Sequence, residues 1–162
     1  MNHAEFNQIV DDYSDALYRF ALKNIKVSED AQEIVQTSFE RLWSNRNKVE
    51  LEKMKAYLFK IAYNLSIDLI RKRKNESDIN DLNNPMIAQY PTYHSDLKTT
   101  LNNALETLNE KQKNAIILRD YEGYSYKEIG SILGLSENQV KINIFRGRKQ
   151  LQNILISIDR HI

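Results

Sequence analysis

Residues 125–148 read Ser125-Tyr-Lys-Glu-Ile-Gly-Ser-Ile-Leu-Gly-Leu-Ser-Glu-Asn-Gln-Val-Lys-Ile-Asn-Ile-Phe-Arg-Gly-Arg148. Ser125 and Glu128 have the spacing of a capping box, in which each side chain satisfies the other residue's orphan amide at a helix start. Ile129, Ile132 and Leu133 give the helix that follows a buried side. Gly134 suits the left-handed residue that ends it. Ser136 and Gln139 repeat the capping box and open a second helix. Val140, Ile144, Gly147 and Leu151 share one side of that helix. Two helices joined by a turn of about four residues containing Gly make a helix-turn-helix. At 100° per residue, Asn138, Ile142, Phe145 and Lys149 fall within about 40° of the side opposite Val140, flanked by Lys141 and Arg146. No acid lies between Glu137 and Asp159. A major groove accepts such a face. Arg and Lys meet guanine edges or phosphate, and Ile142 or Phe145 can touch a thymine methyl. The plainer alternative is a helical hairpin whose cations are a solvated face.

Upstream, Leu97, Leu101, Leu105 and Leu108 predict a helix over 97–108. Ala115, Ile116, Leu118 and Arg119 predict another over about 110–121. Before them lies a stretch from Asn75 to Asp96, rich in Asn, Asp, Ser and Thr. It holds both prolines, Pro85 and Pro91, and four acids with no Lys or Arg. Its composition is that of a linker. The organisation expected is residues 1–74 as one domain, 75–96 as an acidic tether and 97–162 as a second domain.

The first 74 residues are helical by pattern. Phe6, Val10, Tyr13, Leu17, Phe20 and Ala21 are spaced as one face over 4–24. Ala31, Ile34, Val35, Phe39, Leu42 and Trp43 do the same over 28–46, with Ser28 as the expected N-cap and Glu29 and Asp30 in the positive first turn. Tyr57, Leu58, Ile61, Ala62, Leu65 and Leu69 stripe a third helix over 53–74. The fold class is all-α: two small helical domains on a flexible acidic linker. The third helix ends Arg71-Lys72-Arg73-Lys74. Such a run either meets phosphates or complements the negative end of a helix, and the pattern alone does not decide. Asp30, Glu33, Gln36 and Glu40 form an acidic and amide stripe that is commonly just solvated surface.

Composition excludes much. The chain has 162 residues, 41% of them hydrophobic, and no Cys. Disulfides, Cys-ligated zinc and thiol catalysis are therefore out, and a reducing cytoplasm fits. Apolar runs are too short to span a bilayer, and no basic segment followed by an apolar one opens the chain. His3, His94 and His161 are scattered, and there is no Gly-rich phosphate loop or nucleophile elbow, which points away from an enzyme. The net charge of +1 argues against nucleic acid until it is divided. Residues 1–74 carry 13 basic and 11 acidic groups, the tether 0 and 4, and residues 97–162 carry 10 and 7.

Taken with the helix-turn-helix, two further stretches carry a specific likeness. The chain resembles the extracytoplasmic-function group of bacterial RNA polymerase sigma factors. Asp30-Ala-Gln-Glu-Ile-Val-Gln-Thr-Ser-Phe-Glu-Arg-Leu-Trp43 looks like that family's docking segment. Ala56-Tyr-Leu-Phe-Lys-Ile-Ala-Tyr-Asn-Leu-Ser-Ile-Asp-Leu-Ile-Arg71 looks like its −10 helix, and Ser125 to Leu151 like its −35 reader. The resemblance implies a promoter-specificity subunit, without cofactor, metal or catalysis, that is cytoplasmic and not itself in the membrane. Its partners would be the core polymerase (clamp helices and flap), promoter DNA and an anti-sigma factor that is often membrane-anchored. It places Asp30, Glu33, Gln36 and Phe39 on the clamp helices and Asn64 near the flipped-out −10 base, in a pocket shaped by 45–55. Arg71, Lys72 and Arg73 would lie on nearby phosphates. Lys141, Ile142, Phe145, Arg146 and Lys149 would lie on the −35 groove. The acidic linker would occupy the polymerase's RNA-exit and active-site channel. The sequence departs from the family at Thr37 (usually Glu), Asn138-Gln139 (Gly-Thr), Ile142-Asn143 (Ser-Arg) and Gly147 (Ala), so the family's −35 preference does not transfer. A tight helix crossing would explain Gly147. A stand-alone helix-turn-helix regulator is the alternative; it would bind duplex DNA without polymerase.

Overall fold

The computed structural model describes residues 1–80 and 97–160, with side chains through Ser77 in the first stretch. Most of the expected tether, with both prolines and His94, lies outside the described residues, as do His161 and Ile162. The chain divides into two compact units at Asn80/Asp81.

In the first unit, α1 (His3–Ile25), α2 (Ser28–Ser44) and α3 (Met54–Asn80) pack against one another. An Asn2–Glu5 capping box opens α1: Glu5 N–H donates to Asn2 Oδ1 at 2.8 Å, and Asn2 N–H to Glu5 Oε2 at 3.1 Å. Lys26 ends the helix in the left-handed region, at φ 64°. The shared core contains Leu17, Phe20, Ala21, Leu42, Leu58, Phe59 and Ala62, all fully buried. Phe20 and Phe59 meet across it with ring centroids 5.5 Å apart.

Two expectations need correction here. Ser28 is not the N-cap of α2. Val27 holds that place without a side-chain cap bond, and the Ser28 hydroxyl pairs with the Tyr18 hydroxyl at 2.9 Å instead. The third helix does not stop at 74 but continues through Asn80. Polar composition there reads as linker, yet no Gly or Pro breaks the chain before Pro85, and Lys72 and Glu76 have the i, i+4 spacing that supports a helix. This bears on one of the two readings of the Arg71–Lys74 run. Its cations lie more than a turn before the helix end, and the last turn holds no basic residue. Macrodipole complementation, which fades within the last turn, does not account for them.

The second unit contains α4 (Leu97–Leu105), α5 (Glu110–Ile116), a π-helical turn (Ile117–Tyr121), α6 (Tyr126–Leu133) and α7 (Glu137–Asp159). The helix expected over 110–121 thus widens at its end, where Glu122 N–H reaches back five residues to the Ile117 carbonyl at 3.2 Å. Ile117 and Leu118 are both fully buried there. Leu105, Leu108 and Ile116 form one cluster, with Leu151 of α7 packed on it. Both capping boxes of the motif form, Ser125 with Glu128 and Ser136 with Gln139. Gly134 ends α6 at φ 71°. Lys111 Nζ donates to the Leu133 carbonyl at 2.6 Å, tying the C-terminal end of α6 to α5. At Gly147, a Cβ would come 2.5 Å from Ile116 Cδ1. The α5–α7 crossing is therefore close at Gly147.

Candidate nucleic-acid interface

The outer face of α7 is assembled from the inside. Val140, Ile144 and Gly147 are buried against α5 and α6, which leaves Asn138, Lys141, Ile142, Phe145, Arg146 and Lys149 exposed together. Ile142 is 46% exposed and Phe145 68%. Lys141 Nζ lies 5.5 Å from the centre of the Tyr126 ring, within cation–π range. The Arg119 guanidinium lies 4.4 Å from that ring and donates to the Tyr124 carbonyl at 2.9 Å. Two polar groups of α7 are engaged within the unit. Asn143 Nδ2 donates to the Gln139 carbonyl at 2.7 Å. Arg148 forks onto Asp120, with Nε donating to Oδ2 at 3.1 Å and a second bond to Oδ1. That hydrogen bonding raises the guanidinium above its ordinary pKa, against a smaller opposing effect of burial. Burial, and then the Asp120 carboxylate, raises the neighbouring Tyr121 phenol. Arg148 therefore fastens α7 to the π-turn.

In the first unit, Lys60, Asn64, Asp68, Arg71 and Lys72 run along the exposed side of α3. The opposite side is buried through Leu58, Ala62, Ser66 and Ile67. The Ser66 hydroxyl is satisfied within the helix, donating to the Ala62 carbonyl at 2.7 Å. Glu33 and Gln36 are exposed on α2, and Gln36 Nε2 donates to Glu40 Oε1 at 3.1 Å.

Two expected site residues sit differently from the rest. Phe39 is only 7% exposed, and its ring meets Phe6 edge-on at 6.3 Å. It is a core residue that orients α2, so it does not present its ring to a partner. Its place on the same apolar stripe as Ala31, Ile34 and Leu42 already carried that signal. Asp30 is ion-paired to Arg73 across α2 and α3. Residues expected on two different partners therefore hold each other here, a pairing over 43 positions that local pattern does not disclose. Sequence reasoning also missed the surroundings of Trp43. Its indole lies 4.7 Å from the His3 ring, 5.0 Å from Phe6 and 4.0 Å from the Arg46 guanidinium. Just beyond it, in the 45–55 segment, Leu51 is 65% exposed.

Among the described residues no cluster of His, Cys, Asp and Glu could hold a metal ion. No helix there is long and apolar enough to cross a membrane.

Two family descriptions match in the order of the units: Sigma-70 region 2 over residues 9–76 and Sigma-70, region 4 over 99–151. The RNA polymerase sigma factor SigV of Bacillus subtilis is 31% identical over 144 residues, covering 88% of this chain and 86% of that protein. The ECF RNA polymerase sigma factor SigE of Mycolicibacterium smegmatis is 31% identical over 158 residues. The alignment covers 93% of this chain and 61% of that protein. The chain is a sigma factor of the extracytoplasmic-function group. Among solved structures, the sigma factor RpoE of Bartonella quintana, in complex with the anti-sigma factor NepR, is similar at TM-score 0.76 and 29% identity. That match covers 93% of this chain and 96% of RpoE. As a sigma factor the chain directs promoter-specific transcription, and the stand-alone regulator is not favoured. In this sigma factor the helix-turn-helix lies within the region 4 match, and Asn64 with the basic run lies within region 2.

Proposed function

We propose that this sigma factor docks on the clamp helices of core polymerase through the exposed α2 stripe of Glu33 and Gln36. On this reading it captures a −10 base beside Asn64 and holds nearby phosphates with Arg71 and Lys72. The observation that carries the reading is the conjunction of the two sigma-70 regions with one exposed cationic and apolar face on α7. Asn64 supplies an amide, the type of group that a flipped-out base needs for hydrogen bonding. Arg71 and Lys72 would position DNA without specifying sequence. Lys141, Ile142, Phe145, Arg146 and Lys149 would enter the −35 major groove while region 4 rests on the flap. Asp30 and Phe39 act from within, holding α2 in place, and Arg73 reaches phosphate only by leaving Asp30. The tether, helical as far as Asn80, would follow the polymerase channel with its acidic remainder.

The protein works in the cytoplasm, performs no catalysis of its own, and is held in check by an anti-sigma partner. A complex of that kind is what the Bartonella structure contains. Reconstitution with bacterial core polymerase, followed by sequencing of transcript 5′ ends, tests the reading. Start sites sharing −10 and −35 elements are expected. Specific binding to duplex promoter DNA without core polymerase would refute it.

A further inference from the structure

We propose that Ile142 is a specificity-determining residue that reads the 5-methyl group of a thymine in the −35 element. The inference rests on the promoter reading above and deepens it.

Ile142 lies in the second turn of α7, downstream of the Ser136 cap, in the part of a recognition helix that reaches base edges. Its side chain is 46% exposed, and Phe145, one turn on, is 68% exposed. Around them stand Lys141, Arg146 and Lys149, with no acid on α7 between Glu137 and Asp159. An apolar centre with a cationic rim fits a surface that is anionic at its edges and apolar at one point within. Duplex DNA offers that surface: phosphates flank the groove, and the thymine methyl is the apolar group on its floor. Isoleucine can neither donate nor accept a hydrogen bond. Set against the cytosine amino group or a guanine oxygen, it would remove water from a polar atom and return nothing. Its preference is therefore by exclusion as well as by contact. The neighbouring side chains do not dilute this. The Asn143 amide is engaged with the Gln139 carbonyl, and Arg148 with Asp120. The apolar contact on this face is thus left to Ile142 and Phe145, and Ile142, a turn nearer the start of the helix, is the one assigned to the methyl group.

The test uses the full chain with core polymerase and a promoter library randomised over the −35 hexamer. Thymine should be enriched, on one strand or the other, at the position Ile142 contacts. Replacing that thymine by deoxyuridine removes only the methyl group. Initiation should fall about fourfold, the loss from one uncovered methyl group. In Ile142→Ala the thymine and deoxyuridine promoters should become equal, whereas Ile142→Val should retain part of the difference. The substitution lies on an exposed helical position where Ala is well tolerated, so folding is preserved. Deoxyuridine without effect at every thymine, or a penalty that persists in Ile142→Ala and disappears only in Phe145→Ala, would overturn the proposal. A library that yields no transcript at all would overturn the promoter reading and this inference with it.

Discussion

Gly147 is where helix propensity and packing oppose each other most directly. In a helix interior Gly is worse than Ala by roughly 0.8–1.0 kcal/mol, so Gly147→Ala should stabilise α7. The new Cβ, however, would lie 2.5 Å from Ile116 Cδ1, while Ile116 Cγ1 and Gln112 Cβ stand at ordinary distances of 3.4 and 3.5 Å. A single methyl group decides the outcome. It belongs to a side chain only 2% exposed, in a cluster with Leu105 and Leu108. Turning it aside costs about 0.5–1.5 kcal/mol in off-rotamer strain. The two effects nearly cancel, so Gly147→Ala should change stability by no more than about 0.7 kcal/mol in either direction. Ile116→Val removes that methyl and alone should cost about 0.5–1.5 kcal/mol. In the double variant the Ala methyl occupies the vacated space and the propensity gain is unopposed. The pair should therefore couple favourably by about 1 kcal/mol. Gly147→Leu, with three more carbons at the same crossing, should destabilise by about 1–3 kcal/mol or more.

Urea unfolding of the full chain by far-UV circular dichroism, with hydrogen exchange at the amides of α5 and α7, measures these changes. Trp43 is the chain's one tryptophan and lies in the first unit, so its fluorescence transition should be the same in every variant. Additive single effects, or a second unit unchanged by Gly147→Leu, would refute the close-crossing explanation.

Three other outcomes are expected. Asn64→Ala should lower open-complex formation while core affinity stays unchanged; loss of core binding in a competition assay would contradict its placement at the −10 base. Removing Lys141 and Arg146 together should weaken promoter binding and reduce the slope of log K against log salt by about 2, near 0.9 per phosphate contact. An unaltered slope means that neither touches phosphate. Asp30→Ala and Arg73→Ala should couple in a double-mutant cycle by about 0.2–1 kcal/mol, the range for a solvent-accessible pair. Trp43 fluorescence during thermal unfolding reads that coupling, and a value of zero would show that the pair does not persist in solution.

The motif at 125–148 was legible because its signals are local. Each capping box spans four residues, and Gly134 marks the stop between the helices. The same rule would have found Asn2 and Glu5 at the start of α1. Ser28, expected as an N-cap without a capping-box partner, was misassigned: its hydroxyl pairs with that of Tyr18, ten residues away. The π-turn at 117–121 was not legible, since apolar periodicity over five residues does not separate wide from ordinary helical turns. The end of α3 was missed because polar residues without Gly or Pro fit a linker and a solvated helix equally well. At the sites, exposure along α7 followed from helical geometry. The partners of Asp30 and Arg148 did not, because each pairing joins residues 28 or more positions apart.

Those two pairings change what the charge of the chain means. Counted by sequence, both units are mildly basic, and each carries its cations near a candidate DNA surface. Counted by structure, Arg73 is paired with Asp30 and Arg148 with Asp120. Each unit thus loses to an internal partner one of the arginines nearest its surface. Non-specific DNA affinity grows with the number of phosphates neutralised, so each cation held internally weakens the grip of the isolated chain. A subunit that works on a larger enzyme gains from this arrangement. On the proposed reading, few phosphate contacts of its own would be left to hold it on random DNA, and Asn64 and the α7 face would supply discrimination once the polymerase provides the hold. Near-neutrality is then compatible with promoter recognition, as expected where the work is divided between a reader of sequence and an enzyme that grips the backbone.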